Sequence, residues 1–378
     1  MGEGFVLPRH REVARVIGDP RFASDRKNGR GGMSTDQWWM PSLLKLLVSS
    51  MVLKDPPEHR RLRSLVQKAF TPVMVETLSD RVAEIAEELL DAAARKSVVD
   101  LMADFALPLP LTVIAEMLGV PPADRIRFRK LIVRLQGTSQ ANALSFVRNY
   151  PDMVRLKGFL QGLVRLRREQ PGNDLVTALV QAEEEGDRLS EDELISMVFL
   201  LLFAGHETTV NLIGNGVLEL VRHPDQLQKL REQPDLIDSA IDEMLRFTNP
   251  VGLVAPRYAR EDVEVAGVPM PKGTMVTLLI GSANLDETVF PDADRLDITR
   301  SPNRHLSFGH GAHYCLGAPL ARLETRVAIP ALLRRFERLK LTVPAEKLRW
   351  RPHIGLRGVQ ALPLLVTPTG AAVGRSAH

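Results

Sequence analysis

Apolar residues recur at three- and four-residue spacing over most of the chain, a period that predicts a mainly helical protein. Over residues 65–94 they are interleaved with Glu84, Glu87, Glu88 and Asp91, and the first part of this helical pattern opens after Asp55-Pro56-Pro57, a natural start signal. Residues 105–118 are apolar and end at Gly119, with Pro121 and Pro122 behind it, which is a firm stop. Residues 192–222 read as one long helix, with Ser190 as N-cap and Glu193 at the reciprocal position of a capping box. A further helix over 235–247 closes at Asn249-Pro250. Strand patterns sit in the C-terminal half: 263–268 and 274–280 alternate or run apolar around Pro269, Pro271 and Gly273, and 349–366 reads as short strands turning at Gly355 and Gly358. The expected fold class is mainly α with small antiparallel β-sheets (α+β). A single domain is expected over 1–366, with a disordered tail over the small, polar residues 367–378.

Composition narrows this picture. At 378 residues, 44% apolar and 25% charged, the chain can bury a core large enough to enclose a ligand. The net charge is +3, with no Lys/Arg block and no interleaved aromatics, so no nucleic-acid partner is expected. The longest apolar run, 194–204, contains Ser196 and is shorter than the ~20 residues of a membrane span, and residues 1–20 lack a signal-peptide core. No membrane anchor and a cytoplasmic location are therefore expected. One cysteine excludes an intramolecular disulfide and a cysteine-rich zinc site.

That cysteine carries the most specific signal. In Phe308-Gly309-His310-Gly311-Ala312-His313-Tyr314-Cys315-Leu316-Gly317, two glycines before Cys315 and one after allow a tight loop. Ala318-Pro319 then opens a helical pattern. A cysteine just before a helix start feels the positive end of the dipole, which favours its thiolate, and loop N–H groups can point at the sulfur. A lone cysteine is ordinarily a small buried hydrophobe. The spacing Phe-x-x-Gly-x-His-x-Cys-x-Gly reverses those odds, because it resembles the haem-binding loop of the cytochrome P450 family.

Three further segments match in the expected order. Glu243-Met244-Leu245-Arg246 resembles the family's Glu-x-x-Arg pair; alone it would be an ordinary exposed helix pair, but Phe290-Pro291-Asp292-Ala293-Asp294-Arg295 follows, resembling the family's meander and offering Arg295 as third member of a buried charge network. Ala204-Gly205-His206-Glu207-Thr208-Thr209 places a glycine, an acid and two threonines inside the most apolar helix, which is locally unfavourable. The resemblance implies a bulge there beside the oxygen site, with Ala204 against the cofactor and Glu207 and Thr208 managing water and protons. His59 and Arg63 share a helix face at i, i+4; by themselves they are a solvated basic face, and the resemblance makes them, with Arg257 and His313, partners of haem propionates. Two departures stand out: relatives carry a few dozen more residues before the segment 4–22, and Pro330 lies inside the helix after Cys315, where it should kink or end it.

The resemblance implies a triangular-prism helical fold enclosing haem b, with Cys315 as axial iron ligand and Phe308 and Gly309 in the binding loop. It implies a monomeric monooxygenase that inserts one atom of O2 into a C–H bond or across a C=C bond of a medium-to-large hydrophobic molecule, in secondary metabolism. Electrons would come from a separate ferredoxin or flavodoxin with its reductase, docking near Arg60, Arg61 and Arg322. The substrate pocket is expected to draw on 33–52, with Trp38, Trp39, Leu43, Leu44, Leu46 and Leu47, on 131–150, on Phe203 and Ala204, on 251–254 and on 354–356. A peroxide-driven peroxygenase is disfavoured by the Glu207-Thr208 pair, and a non-catalytic haem binder or sensor would have no use for it.

Overall fold

A computed structural model describes residues 4–30, 32, 50–136, 143–184, 189–353 and 355–370. In chain order its helices are α1 (His10–Gly18), α2 (Glu58–Ala69), α3 (Pro72–Glu76), α4 (Ser79–Ala93), α5 (Pro108–Met117), α6 (Arg125–Gln136), α7 (Ala143–Glu169), α8 (Leu175–Glu184), α9 (Glu191–Arg222), α10 (Pro224–Glu232), α11 (Ile237–Thr248), α12 (Ile280–Ala283) and α13 (Ala318–Arg335). The strands are β1 (Gly4–Leu7), β2 (Phe22–Ala23), β3 (Val98–Asp100), β4 (Arg257–Ala259), β5 (Val263–Val265), β6 (Val268–Met270), β7 (Met275–Leu278), β8 (Phe336–Leu341) and β9 (Pro363–Pro368).

The long helix α9 organises the molecule. Its first N–H groups are satisfied by the expected capping box: Ser190 Oγ accepts from Glu193 N, and Glu193 Oε2 accepts from Ser190 N. By length and composition α9 could cross a membrane, but it is instead the central helix of the core, packed against α5, α7, α11 and α13. Nearly every residue from Thr209 to Leu220 is buried, so no polar face is left for solvent. A second, smaller core joins α1 to the sheet β1-β7-β4-β2.

Several expectations change at this level. The helical pattern of 65–94 is cut into α2, α3 and α4, because Pro72 cannot continue a helix and Thr71 caps the next one by accepting from Met74 N. The first turn of 105–118 belongs to a π-helical stretch, Met102–Ala106, that leads into α5. Gly119 ends α5 at φ +73°, as its position suggests. Residues 263–268 form two strands, turned at Ala266 and Gly267, both with positive φ. The sheets are not wholly antiparallel, since β1 runs parallel to β7. Pro330 neither ends nor breaks α13. Strand β9 carries Thr367 and Pro368, two residues beyond the expected domain limit at 366.

Candidate active site

The buried pair Glu243–Arg246 ties the core to the loop of Cys315. Both side chains are fully buried on α11. Arg246 Nε and Nη2 donate to the two carboxylate oxygens of Glu243 at 2.7 and 2.8 Å, and Nη1 donates to the carbonyls of Asn284 and Ala293. Glu243 also accepts from Arg300 Nε, Asn303 Nδ2 and the Asp297 N–H. The third charged member of the network is therefore Arg300. Arg295 is exposed and offers only its carbonyl, because the meander turns its side chain outward. From this knot Asn284 accepts from Leu306 N and donates to Ser307 Oγ, which in turn donates to the Leu245 carbonyl, so the strand of chain entering the cysteine loop is fixed to α11.

The loop then folds on itself. Gly309 and Gly311 take φ of +69° and +68°, which residues with a side chain rarely adopt. Cys315 N donates to Phe308 O at 2.8 Å, and the N–H groups of Gly317 and Ala318, at the start of α13, point at the sulfur. Burial pushes the Cys315 thiol up, while those two N–H groups and the nearby Arg63 pull it down. Cys315 is exposed, and it lines a cavity.

That cavity measures about 300 Å³ and is mostly apolar. It brings together eight of the ten candidate site residues: His59, Arg63, Ala204, Thr208, Phe308, Gly309, His313 and Cys315. Arg257 stands just behind, in β4, close enough for its charge to act on His59 and His313. Glu207 is one residue before Thr208 and faces the other way, toward Arg351 at 3.7 Å. Helix α9 is α-helical throughout, so the expected bulge is absent; Thr208 Oγ1 and Thr209 Oγ1 donate back to the carbonyls of Ala204 and Gly205 without breaking it.

The electrostatics of the cavity wall are one-sided. Arg63 Nη2 donates to Tyr314 O at 2.9 Å, and Arg257 Nη1 to Ala255 O at 3.0 Å. The rings of His59 and His313 lie 4.1 Å apart, and His313 Nε2 meets Ser24 Oγ at 3.0 Å. Burial, then His59, Arg257 and Arg63, hold His313 at a pKa of about 3. Burial and Arg63 likewise lower His59. Among the described residues none of these four pairs with a carboxylate, and Arg257 is only 5% exposed. A buried guanidinium without an anion is costly, so this wall suits a ligand that brings its own carboxylates. A sulfur with N–H donors behind it, facing the same space, suits a metal.

The remaining lining was only partly foreseen. Val251 and Val254 contribute as expected, and so do Met51 and Val52; the rest of 33–49 lies outside the described residues. Phe203 does not reach the cavity, whereas Leu200, Leu201 and Leu212 do. Leu131 is buried in the core, and residues 137–142 lie outside the described residues. Gly355 and Leu356 line a different, outward-facing pocket. Of the supposed docking arginines, Arg61 pairs with Glu193, Arg322 pairs with Asp242 at 2.6 Å while stacking on Phe308, and Arg60 is exposed.

A fold of this kind, with a lone thiol facing an apolar cavity beside the centre of its longest helix, is matched by known proteins. The family model described as Cytochrome P450 matches residues 148–356. Cytochrome P450 107B1 of Saccharopolyspora erythraea is 44% identical over 365 residues, covering 96% of this chain and 89% of that protein. The mycinamicin IV hydroxylase/epoxidase of Micromonospora griseorubida is 42% identical over 365 residues, covering 96% and 89%. Among solved structures, the Bacillus subtilis 168 bacillaene polyketide synthase cytochrome P450 PksS is similar at a TM-score of 0.88 and 40% identity, over 96% of this chain and 90% of that one. The chain belongs to the cytochrome P450 family of haem-dependent monooxygenases.

Proposed function

We propose that Cys315 Sγ would ligate the iron of a haem b, that Arg63, Arg257, His59 and His313 would hold its propionates, and that Phe308, Gly309 and Ala204 would line its site. The observation that carries this reading is the convergence, at one apolar cavity, of a thiol backed by N–H donors, the guanidinium of Arg63 with that of Arg257 just behind it, and two histidines, none of the four paired with a carboxylate among the described residues. When bound, the haem supplies O2 activation and insertion of one oxygen atom into a substrate C–H or C=C bond. The protein's own part is to bind, orient and control water. Gly317 and Ala318 N–H groups temper charge on the sulfur. The apolar lining from Met51, Ile114, Leu200, Leu201 and Val251 holds a hydrophobic molecule and keeps bulk water out. Glu207 and Thr208 pass protons into the cavity, so oxygen is spent on substrate and little is lost as peroxide.

The substrate in this reading is a medium-to-large hydrophobic intermediate of secondary metabolism, which the names of the mycinamicin and bacillaene relatives support. Electrons reach the enzyme from a separate ferredoxin or flavodoxin with its reductase, in the cytoplasm, onto a monomer with a single domain that includes β9. Arg60 on α2 and Arg322 on α13 are offered as docking cations. The test is turnover: purified protein supplied with a generic ferredoxin and reductase should oxidise a hydrophobic probe at the expense of reductant. Reductant consumption that no tested hydrophobic compound stimulates, in protein that binds haem, would favour a binder or sensor; product formed with peroxide alone at equal rate would favour a peroxygenase.

A further inference from the structure

Helix α6 packs by one side. Phe128, Leu131 and Ile132 are buried, and the Phe128 ring lies 5.4 Å from that of Phe159 on α7. The opposite side is exposed, yet it is not the wholly polar surface expected of a solvated helix face. Ile126, Lys130 and Val133, at i, i+4 and i+7, form its crest, with Ile126 69% and Val133 40% exposed. Arg127 and Arg134 flank the crest on one side and Arg129 on the other, and all three are exposed. Two branched apolar side chains therefore stand in a frame of cations.

Those cations are poorly matched by acids. Among the described residues no carboxylate pairs with Arg127, Arg129 or Lys130, whereas Arg125, at the inner edge of the same helix, meets Glu116 at 2.6 Å. Arg134 comes only within 3.9 Å of Asp152, which Arg155 already holds at 2.6 Å. The imbalance runs on along the chain. Residues 125–168 hold eleven Lys and Arg against one acid, Asp152, in a chain whose net charge is +3, so the remainder is net acidic. On α7, Arg148, Val154 and Arg155 are exposed as well.

We propose that the outward face of α6 docks on a lipid surface rich in anionic headgroups, with Ile126 and Val133 entering the acyl boundary and the arginines and Lys130 lying at the phosphates. Such a surface presents a plane of negative charge over an apolar layer, which is the complement of an apolar crest framed by cations. A protein partner matches this face less well. Protein interfaces gather aromatic residues and hydrogen-bonding groups around a centre depleted in lysine. Here Lys130 sits in the middle of the crest, and the exposed residues of the face include no aromatic or uncharged polar side chain. The contact is peripheral, because α6 has 12 residues and its inner side belongs to the core. Docking is independent of the haem site and would hold the protein against the layer in which hydrophobic molecules collect.

The test is cosedimentation of the haem-loaded full chain with vesicles of equimolar phosphatidylglycerol and phosphatidylcholine, beside vesicles of phosphatidylcholine alone. Three variants accompany the wild type. One is Arg127→Gln/Arg129→Gln/Lys130→Gln and the second is Ile126→Ser/Val133→Ser. The third, Arg9→Gln/Arg11→Gln/Arg15→Gln, removes the same charge from exposed positions in and beside α1. Wild type should bind only the anionic vesicles and leave them in high salt. The α6 charge variant should bind roughly a hundredfold more weakly, the crest variant roughly tenfold, and the α1 variant within about threefold of wild type. Amide hydrogen exchange of the wild type should slow over 125–136 on adding anionic vesicles, a readout that requires no variant to fold. No binding of wild type to the anionic vesicles, equal losses in the α6 and α1 charge variants, or slowed exchange confined to another segment overturns the proposal. Binding to polyglutamate but not to vesicles, lost in the α6 charge variant, overturns it in favour of an acidic protein on the same face.

Discussion

Replacing Arg246 by alanine isolates the contact that holds the cysteine loop in place. The substitution leaves the Glu243 carboxylate fully buried and strips it of its two shortest charge-assisted bonds, at 2.7 and 2.8 Å. It also removes the donors to the carbonyls of Asn284 and Ala293. Breaking a buried pair by deleting one partner costs about 3–5 kcal/mol, against a whole-protein stability of about 5–15 kcal/mol. Arg300 remains on Glu243, so the loss is expected at the lower part of that range. Arg300→Ala, at the edge of the network, should cost only about 1–2 kcal/mol. The assay is equilibrium urea unfolding followed by circular dichroism at equal haem content. Arg246→Lys, which keeps the charge but loses the two-pronged geometry, should fall between alanine and wild type. An Arg246→Ala protein within about 1 kcal/mol of wild type, or one no worse than Arg300→Ala, would refute the claim that this pair anchors the meander.

Two further substitutions probe the scaffold around the long helix. His206 is fully buried with a pKa of about 4, below the 6.5 of an unfolded histidine, so between those values the unfolded chain binds the extra proton and stability falls as pH drops. The urea midpoint should therefore decline less between pH 6.5 and 4 in His206→Gln than in wild type, and parallel declines would contradict the assignment. At Gly119, φ of +73° and an added Cβ only 2.4 Å from Asp174 Cγ make Gly119→Ala destabilising by about 1–2 kcal/mol, measured as a lowered Tm.

Legibility in the sequence followed the range of the interactions involved. The capping box of Ser190 and Glu193, the stop at Gly119 and the glycine loop around Cys315 are local devices, written in a few adjacent residues, and the structure has each of them. The cavity also gathers most of the candidate residues that the motifs singled out. What the sequence concealed depends on contacts between distant segments. Arg295 and Arg300 look alike in the sequence, and only the path of the meander decides that Arg300 turns in toward Glu243. Arg351 belongs to no motif, and it meets Glu207 across a separation of more than a hundred residues. The parallel pairing of β1 with β7 joins residues 4–7 to residues 275–278, far apart in the sequence. Leu200 and Leu201 replaced the expected Phe203 in the cavity wall because the phase of α9, set by its packing on both sides, turns Phe203 aside.

The central claim is that Cys315 ligates iron, and the absorption spectrum of the dithionite-reduced, CO-bound protein tests it most directly. A strongly red-shifted Soret band in the wild type, lost in Cys315→Ser, is the predicted result. A Soret band at the position given by a histidine ligand, or one that survives in Cys315→Ser, would contradict it.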